Sequence, residues 1–240
     1  MITISSGHWA IGTGASGIID EVTENRKVTK RVVEILRLSN VVVNHVEDNV
    51  SKNKTENLQY LISQHNKTNR QLDVSVHFNS SGTTVNKPIG VEVLYYSQKE
   101  LASKLSKAIS VASGLIDRGP KERKELSFLS KTNKGAVLLE VCFVNSSVDV
   151  ELYKQNFENI CQTIATTLMN HLGLSSTPTK EVSTPQLLNK TGREEIQQLL
   201  KMARNSKIIG TVHTDEKIAK YSDVELLSYQ AAVINRTFDK

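Results

Sequence analysis

The sequence predicts an α/β domain with a mainly parallel sheet between helical layers, followed by a linker and a small all-α C-terminal domain. Short apolar segments of strand length alternate with segments of helical periodicity along residues 1–174, the order typical of parallel-sheet α/β folds. Residues 136–143 are apolar almost throughout, as expected for a strand covered on both faces. The 240 residues suffice for one domain with an appendage or for two unequal domains.

The first half of the chain contains three predicted strands and two predicted helices. Ile2 and Ile4 alternate with polar residues, and a glycine-rich loop then runs to Asp20. Apolar residues recur at helical spacing between Val28 and Leu36, which predicts an amphipathic helix. The predicted strands are 2–5, 41–43 and 72–78, with a turn cluster at 79–82, and the predicted helices are 23–36 and 55–69.

The same alternation continues in the second half of this domain. The predicted elements are a strand at 89–95, a helix at 99–115, the apolar strand at 136–143 and a closing helix at about 157–172. Gly173 follows the closing helix, and glycine is common just past a helix C-terminus.

The C-terminal region has a different composition. Residues 175–185 are rich in Ser, Thr and Pro and are predicted to be a linker. Beyond it, capping-box patterns at 191–194 and 222–225 precede apolar residues at helical spacing, with a short helix predicted near 216–221. Residues 186–240 are therefore predicted to form a helical module near the lower size limit for independent folding. Pairing with a second copy would stabilise this module.

Charge and composition narrow the classes of partner and metal site. The net charge of +5 and the pI near 9.1 favour an anionic partner. Scattered basic residues and only 5% aromatic residues argue against nucleic acid. No apolar run approaches the roughly 20 residues that span a bilayer, so no membrane insertion is expected. Cys142 and Cys161 lie in apolar segments, so neither a disulfide framework nor a thiolate zinc site is expected.

Polar residues in four places point to chemistry. His8 and His77 fall at the ends of the first and third predicted strands, Glu21 opens the first helix, and Glu140 interrupts the most apolar strand. Open α/β sheets bind ligands beyond the carboxyl ends of their strands. Two His and one carboxylate match the ligand count of a catalytic zinc site, and a buried Glu140 suits a general base. The alternatives are hydrogen-bonded structural histidines and, for Glu140, a salt bridge at the sheet end.

Five blocks of the chain resemble one family in order and spacing, from Met1 to about Gly173. The blocks are Gly7-His8, Gly12-Thr13-Gly14-Ala15, Glu21 with Asn25, Ser75-Val76-His77-Phe78-Asn79, and Val137-Leu138-Leu139-Glu140-Val141-Cys142-Phe143-Val144-Asn145. They are similar to the successive motifs of the type 3 zinc-dependent N-acetylmuramoyl-L-alanine amidases.

The resemblance implies zinc (Zn2+) bound by His8, Glu21 and His77, with Glu140 as the catalytic carboxylate. It favours Glu21 over its neighbours as the carboxylate ligand, because the family's ligand Glu is followed four residues later by an Asn; the alternatives are Asp20 and Glu24. The chain departs from the family after His8, where Trp9-Ala10 replaces two glycines, and Trp9 is predicted either to line the substrate groove or to pack. The remaining histidines are predicted to be surface or helix-face residues: His45, His65, His171 and His213.

The implied activity is hydrolysis of the peptidoglycan amide between N-acetylmuramic acid and L-alanine. With no visible signal peptide, we expect a phage or prophage endolysin made in the cytoplasm that reaches the wall after holin-type release or cell lysis. Its C-terminal domain would target an anionic wall polymer or form a homo-oligomer. The alternatives are a sporulation or autolytic amidase, a zinc carboxypeptidase acting on the stem peptide, and a non-catalytic wall-binding protein.

Overall fold

The computed structural model describes residues 1–174, 188–206, 208, 213–221, 226–227, 229–230, 233–234 and 237. The chain divides into two compact units, Met1–Thr177 and Pro178–Lys240. None of the helices in the described ranges is long and apolar enough to cross a membrane.

The first unit is a six-stranded sheet with helices on both faces. Its strands are β1 Ile2–Ser6, β2 Val43–Val46, β3 Leu72–Asn79, β4 Val91–Tyr95, β5 Asp117–Glu122 and β6 Gly135–Phe143. Its helices are α1 Glu21–Leu38, α2 Lys54–Asn66, α3 Lys99–Ser113, α4 Ser127–Lys131, α5 Ser147–Gln155 and α6 Phe157–His171. The strand order is β2-β1-β3-β6-β4-β5, with only the β4–β6 pair antiparallel. The predicted α/β class with a mainly parallel sheet is confirmed.

The strand register brings polar residues of three strands into one row. His77 on β3 pairs with Glu140 on β6, and Glu140 pairs with Glu92 on β4. Because β4 runs against β6, the start of β4 lies at the edge where β1, β3 and β6 end. This edge of the sheet therefore collects the ends of four strands and the starts of two.

The two faces of the sheet pack differently. On one face, α1, α3 and α6 bury the main apolar core, to which β6 contributes Val137, Leu139 and Val141. Alternation along β6 turns Leu138 and Glu140 to the other face, where Leu138 packs with Leu94 and with Phe128 of α4 in a small cluster. The small cluster leaves room on this face for a cleft.

Several elements differ from the sequence expectations. The second strand occupies Val43–Val46 rather than 41–43, and β5, α4 and α5 were not predicted. β5 reads Asp-Arg-Gly-Pro-Lys-Glu at the sheet edge and is largely exposed, so it carries no apolar alternation. Edge strands tolerate such residues because one side of their backbone pairs with no neighbour. The five residues of α4 are too few to show a helical period.

The second unit contains two described helices, α7 Lys190–Asn205 and α8 Asp215–Lys220. The N-cap of α7 is Asn189, which accepts a hydrogen bond from the Gly192 amide, so the helix starts before the predicted capping box. The described residues of the second unit bury a small apolar cluster of Ile196, Leu200, Ala203, Ile218, Leu226 and Val233. The predicted linker at 175–185 and the capping pattern at 222–225 lie outside the described residues.

Candidate metal centre and catalytic cleft

His8 follows β1 in a left-handed backbone conformation, with φ of 64°. Few residues other than glycine adopt this conformation, which costs about 1–3 kcal/mol and persists only where the surroundings impose it. Hydrogen bonds fix both backbone groups of the preceding Gly7. Its amide donates to the carbonyl of Val76 at 2.9 Å, and its carbonyl accepts from Asn25 Nδ2 at 3.0 Å. The backbone thus directs the His8 side chain toward α1 and β3.

Two glycines allow close approach between the loop and the cluster. A Cβ at Gly7 would lie 2.2 Å from Cε1 and 2.4 Å from Nε2 of His77. A Cβ at Gly14 would lie 2.7 Å from both Glu21 Oε2 and His8 Cδ2. Contacts this short are sterically excluded, so the tight packing of the two imidazoles and the carboxylate requires glycine at both positions.

Glu21 is the first residue of α1, and its carboxylate connects the two histidines. Oε1 lies 3.0 Å from His8 Nε2 and 2.9 Å from His77 Nδ1, and it accepts a hydrogen bond from the Phe78 amide at 3.1 Å. Oε2 accepts from the Ala15 amide at 2.6 Å. Burial raises the pKa of Glu21, but the hydrogen bonds and charges of His77 and His8 outweigh it and hold the pKa well below its ordinary value.

The three side chains form a possible metal-binding set. One ligand atom from each of His8, Glu21 and His77 lies within 4.8 Å of the other two. The imidazole centroids are 5.0 Å apart with the rings steeply inclined, so each ring presents a nitrogen to the same carboxylate. Two imidazole nitrogens and one carboxylate oxygen are a donor set that holds a divalent transition metal.

The neighbouring acidic residues have other partners. Asp20 caps α1 by accepting from the Thr23 amide at 2.8 Å and also accepts from the Gly12 amide at 3.1 Å. Glu24 accepts from the Tyr153 hydroxyl at 2.9 Å and from Lys27 Nζ at 2.8 Å. Both carboxylates are engaged elsewhere, whereas that of Glu21 reaches the histidines.

Glu140 lies on β6 beside His77, with one carboxyl oxygen in the protein interior. Its Oε2 is buried and makes no hydrogen bond to any described residue. Glu140 also forms no ion pair within the described part of the chain. Burial, followed by the negative charges of Glu21 and Glu92, raises the pKa of Glu140 well above its ordinary value, against the opposing charge of Arg123. A carboxyl group in this environment is suited to accept and return a proton.

The cluster residues and Glu140 line a cleft of about 550 Å3, a volume typical of ligand sites. The cleft runs over the sheet between α2 and α4. Its remaining lining includes Lys54, Asn57, Leu58, Leu61, Ser75, Leu94, Arg123, Leu126, Phe128 and Leu138. Its polar cluster and apolar walls are suited to bind a substrate and position one polar bond at the cluster.

Glu92 is a buried carboxylate in the cleft that the sequence reasoning missed. It is 6% exposed, and it accepts from Asn79 Nδ2 at 3.0 Å and from Arg118 Nε at 2.8 Å. Its strand alternates in polarity, so Glu92 looked like an ordinary solvent-facing residue. A carboxylate between two valines carries a signal similar to that of Glu140, and it could have been found by the same reasoning.

Other residues singled out in the sequence lie apart from the cluster. His65 is fully buried on α2, where Nδ1 lies 2.7 Å from Asp73, whose carboxylate also pairs with Arg70. It occupies the buried side of its helix rather than the surface. Trp9 is half-buried, is not among the residues that line the cleft, and has its carbonyl bound by Arg26 at 3.0 Å.

The fold and the cluster define a class of protein, an α/β domain with a two-histidine, one-carboxylate centre at the carboxyl edge of its sheet. Residues 2–170 match the family model described as N-acetylmuramoyl-L-alanine amidase (Amidase_3). The chain therefore belongs to this family, as its motifs suggested.

The chain is also similar to two uncharacterised proteins and to one solved endolysin domain. The chain is 27% identical over 239 residues to an uncharacterised 38.4 kDa protein of Clostridium perfringens, covering 93% of this chain and 70% of that protein. It is 33% identical over 158 residues to a second uncharacterised protein, from C. perfringens strain 13, covering 64% of this chain and 47% of that one. The catalytic domain of the CD27L endolysin, described as targeting Clostridia difficile, superposes with a TM-score of 0.62 at 28% identity, covering 70% of this chain and 96% of that domain.

Proposed function

We propose that this chain is a zinc-dependent N-acetylmuramoyl-L-alanine amidase, which hydrolyses the amide between N-acetylmuramic acid and the first L-alanine of the peptidoglycan stem. The observation that carries the proposal is the convergence of one ligand atom each from His8, Glu21 and His77 within 4.8 Å, with Glu140 on the neighbouring strand. Family membership supports the substrate bond.

The donor set suits zinc. The ligand atoms are His8 Nε2, His77 Nδ1 and a Glu21 oxygen, and two histidines with one glutamate are a known catalytic zinc set that leaves a position for water. The second Glu21 oxygen, held by the Ala15 amide, keeps the carboxylate oriented toward the imidazoles. When bound, zinc polarises the scissile carbonyl and lowers the pKa of an attacking water.

Glu140 moves the proton in this proposal. Its carboxylate takes the proton from the attacking water and returns it to the L-alanine nitrogen as the amide bond breaks. Oε2 makes no hydrogen bond to the described protein, so it is available to accept that proton. Because burial and neighbouring negative charge raise the pKa of Glu140, it holds a transferred proton better than an exposed carboxylate would.

The proposed biological role is that of a phage or prophage endolysin. The likeness to the catalytic domain of the CD27L endolysin supports it. We assign catalysis to residues 1–174, and wall targeting or homo-oligomerisation to the helical region 186–240. The net charge of +5 belongs to the whole chain, and it suits an anionic wall polymer as a partner.

Digestion of purified peptidoglycan followed by mass spectrometry tests the proposed reaction. New N-terminal L-alanine is expected with the zinc-loaded protein and none after chelation, and Glu140→Gln is expected to release it about 10²- to 10⁴-fold more slowly. The exposed Glu122→Gln serves as the matched control and should retain full activity.

Each alternative function predicts a different outcome of the digestion. A carboxypeptidase releases a terminal amino acid and exposes no N-terminal L-alanine, and a wall-binding protein yields no product. Lysis of vegetative walls but not of spore cortex supports the endolysin role, whereas preference for cortex supports a sporulation amidase. An autolytic amidase would be expressed in growing cells that carry no induced prophage.

A further inference from the structure

A second hollow, of about 710 Å3, is lined by the segment before β4 and by the start of β5. Arg118 of β5 lines this hollow and is joined to the cleft through its hydrogen bond with Glu92. Arg118 lies two strands away from Glu140 in the sheet order. Adjacent strands are about 4.8 Å apart, so the two backbones are separated by roughly 10 Å.

The guanidinium of Arg118 is held by the protein, but two of its nitrogens donate to no described residue. Its Nε donates to the buried carboxylate of Glu92 at 2.8 Å, and its Cζ lies 5.1 Å from the ring centroid of Phe143. Within the described ranges, Nη1 and Nη2 make no hydrogen bond. A guanidinium fixed in this way loses little conformational entropy when it binds a ligand, and its two terminal nitrogens match the two oxygens of a carboxylate.

The hollow contains a second cationic side chain. Lys87 also lines it, and the Lys87 carbonyl is fixed by a hydrogen bond from the Ser146 hydroxyl at 2.7 Å. Asp117 is the acidic residue in the lining, and its Oδ1 accepts from the Gly119 amide at 2.9 Å. Glu92 balances the charge of Arg118, so binding of an anion depends on Lys87 and on the Nη1 and Nη2 donors of Arg118 rather than on an excess of positive charge.

We propose, on the basis of the amidase function above, that Arg118 is a specificity-determining residue that binds the free α-carboxylate of the second residue of the stem peptide. The glycan beside the scissile amide is neutral, whereas a second residue joined through its γ-carboxyl keeps its α-carboxylate. His77 of the metal centre lies one strand beyond Glu140, so its backbone is roughly 14 Å from that of Arg118. Two extended residues span about 7 Å, and the arginine side chain covers the remaining distance. The stem peptide thus runs from the metal centre across β6 and β4 toward β5.

Two soluble substrates that differ only at this group test the inference on the full chain. They are N-acetylmuramoyl-L-alanyl-γ-D-glutamate and its α-amide, N-acetylmuramoyl-L-alanyl-D-isoglutamine. Arg118→Gln is expected to lower kcat/KM for the acid by roughly 10- to 100-fold, the value of a charged hydrogen bond, mainly through KM. The amide should change by less than about threefold. Lys107→Gln, which removes an exposed cation from α3, should change neither.

An equal loss on both substrates would overturn the inference, because Arg118 would then act only by supporting Glu92. Arg118→Lys provides a second variant if Arg118→Gln fails to fold, and it should retain a reduced preference for the acid. Calorimetric binding of the two dipeptide products to the unaltered chain needs no turnover. Failure to cleave either substrate would refute the amidase function. Tighter binding of L-alanyl-γ-D-glutamate would still support the carboxylate site in that case. Equal binding of both dipeptides overturns the inference.

Discussion

Substitution of Gly7 by alanine should abolish metal binding without unfolding the protein. The added Cβ would lie 2.2 Å from His77 Cε1, whereas ordinary contact begins near 3.4 Å, so the ring has to retreat by about 1.2 Å. Metal-ligand distances tolerate deviations of about 0.2 Å, and the displaced imidazole therefore leaves the ligand set. The φ of Gly7 is outside the left-handed region, so the alanine backbone itself is not strained.

The assay is zinc affinity by competition with a fluorescent chelator, together with thermal unfolding. We expect zinc affinity to fall at least 100-fold in Gly7→Ala, with a loss of stability of about 1–3 kcal/mol from overpacking. The double variant Gly7→Ala/His77→Ala should recover stability but not zinc binding, because it removes the ring that the Cβ meets. Gly12→Ala is the control: alanine at φ of 80° strains the backbone, but no atom lies near the Cβ position, so stability should fall while zinc affinity is unchanged. Wild-type zinc affinity in Gly7→Ala would refute the reasoning.

Three further predictions concern buried charge. Glu140→Gln should reduce turnover by about 10²- to 10⁴-fold with zinc affinity retained, measured by N-terminal L-alanine release and chelator competition; unchanged turnover would exclude the proton-transfer role. Arg70→Ala should destabilise the fold by about 3–5 kcal/mol in urea unfolding, because it leaves the Asp73 carboxylate buried with one partner fewer; a loss below 1 kcal/mol would contradict this. Burial raises the pKa of Asp73, but hydrogen bonds from His65 and Arg70 lower it below the ordinary 3.8, so the stabilisation is complete above about pH 3.8 and lost as the pH falls through the lowered pKa. Urea titrations between pH 2 and 6 should show this acid-side loss, and Asp73→Asn should weaken it.

The elements that periodicity predicted well are those with one buried face. In α1, Val28, Val32 and Leu36 are all fully buried, which is the stripe that marked this helix in the sequence. β6 was visible because both of its faces are largely covered. β5 had no such signal, because an exposed edge strand needs no buried apolar face and its residues are mostly polar or turn-forming.

The sequence was sufficient to predict which types of residue form the candidate site. The lack of suitably placed cysteines left histidine and carboxylate as metal ligands, and a glutamate within an apolar strand marked Glu140. Sequence reasoning from the residues placed His8 and His77 at strand ends, and the structure places both beside Glu21. Glu92 was passed over although a carboxylate between two valines is a usable signal, whereas Arg118 has no such neighbours and gains its importance from the strand beside it.

The sequence by itself determined the α/β class, the main buried elements and the kinds of side chain that can hold a metal, because burial and periodicity are local properties of the chain. Only the tertiary structure decided which atoms meet. The orientation of His8 Nε2 and His77 Nδ1 toward one oxygen depends on the register of β1 against β3, and the pairing of Glu92 with Glu140 depends on the reversed direction of β4. These contacts join segments far apart in the chain, and interstrand hydrogen bonds and steric fit specify them, as the excluded Cβ at Gly7 shows.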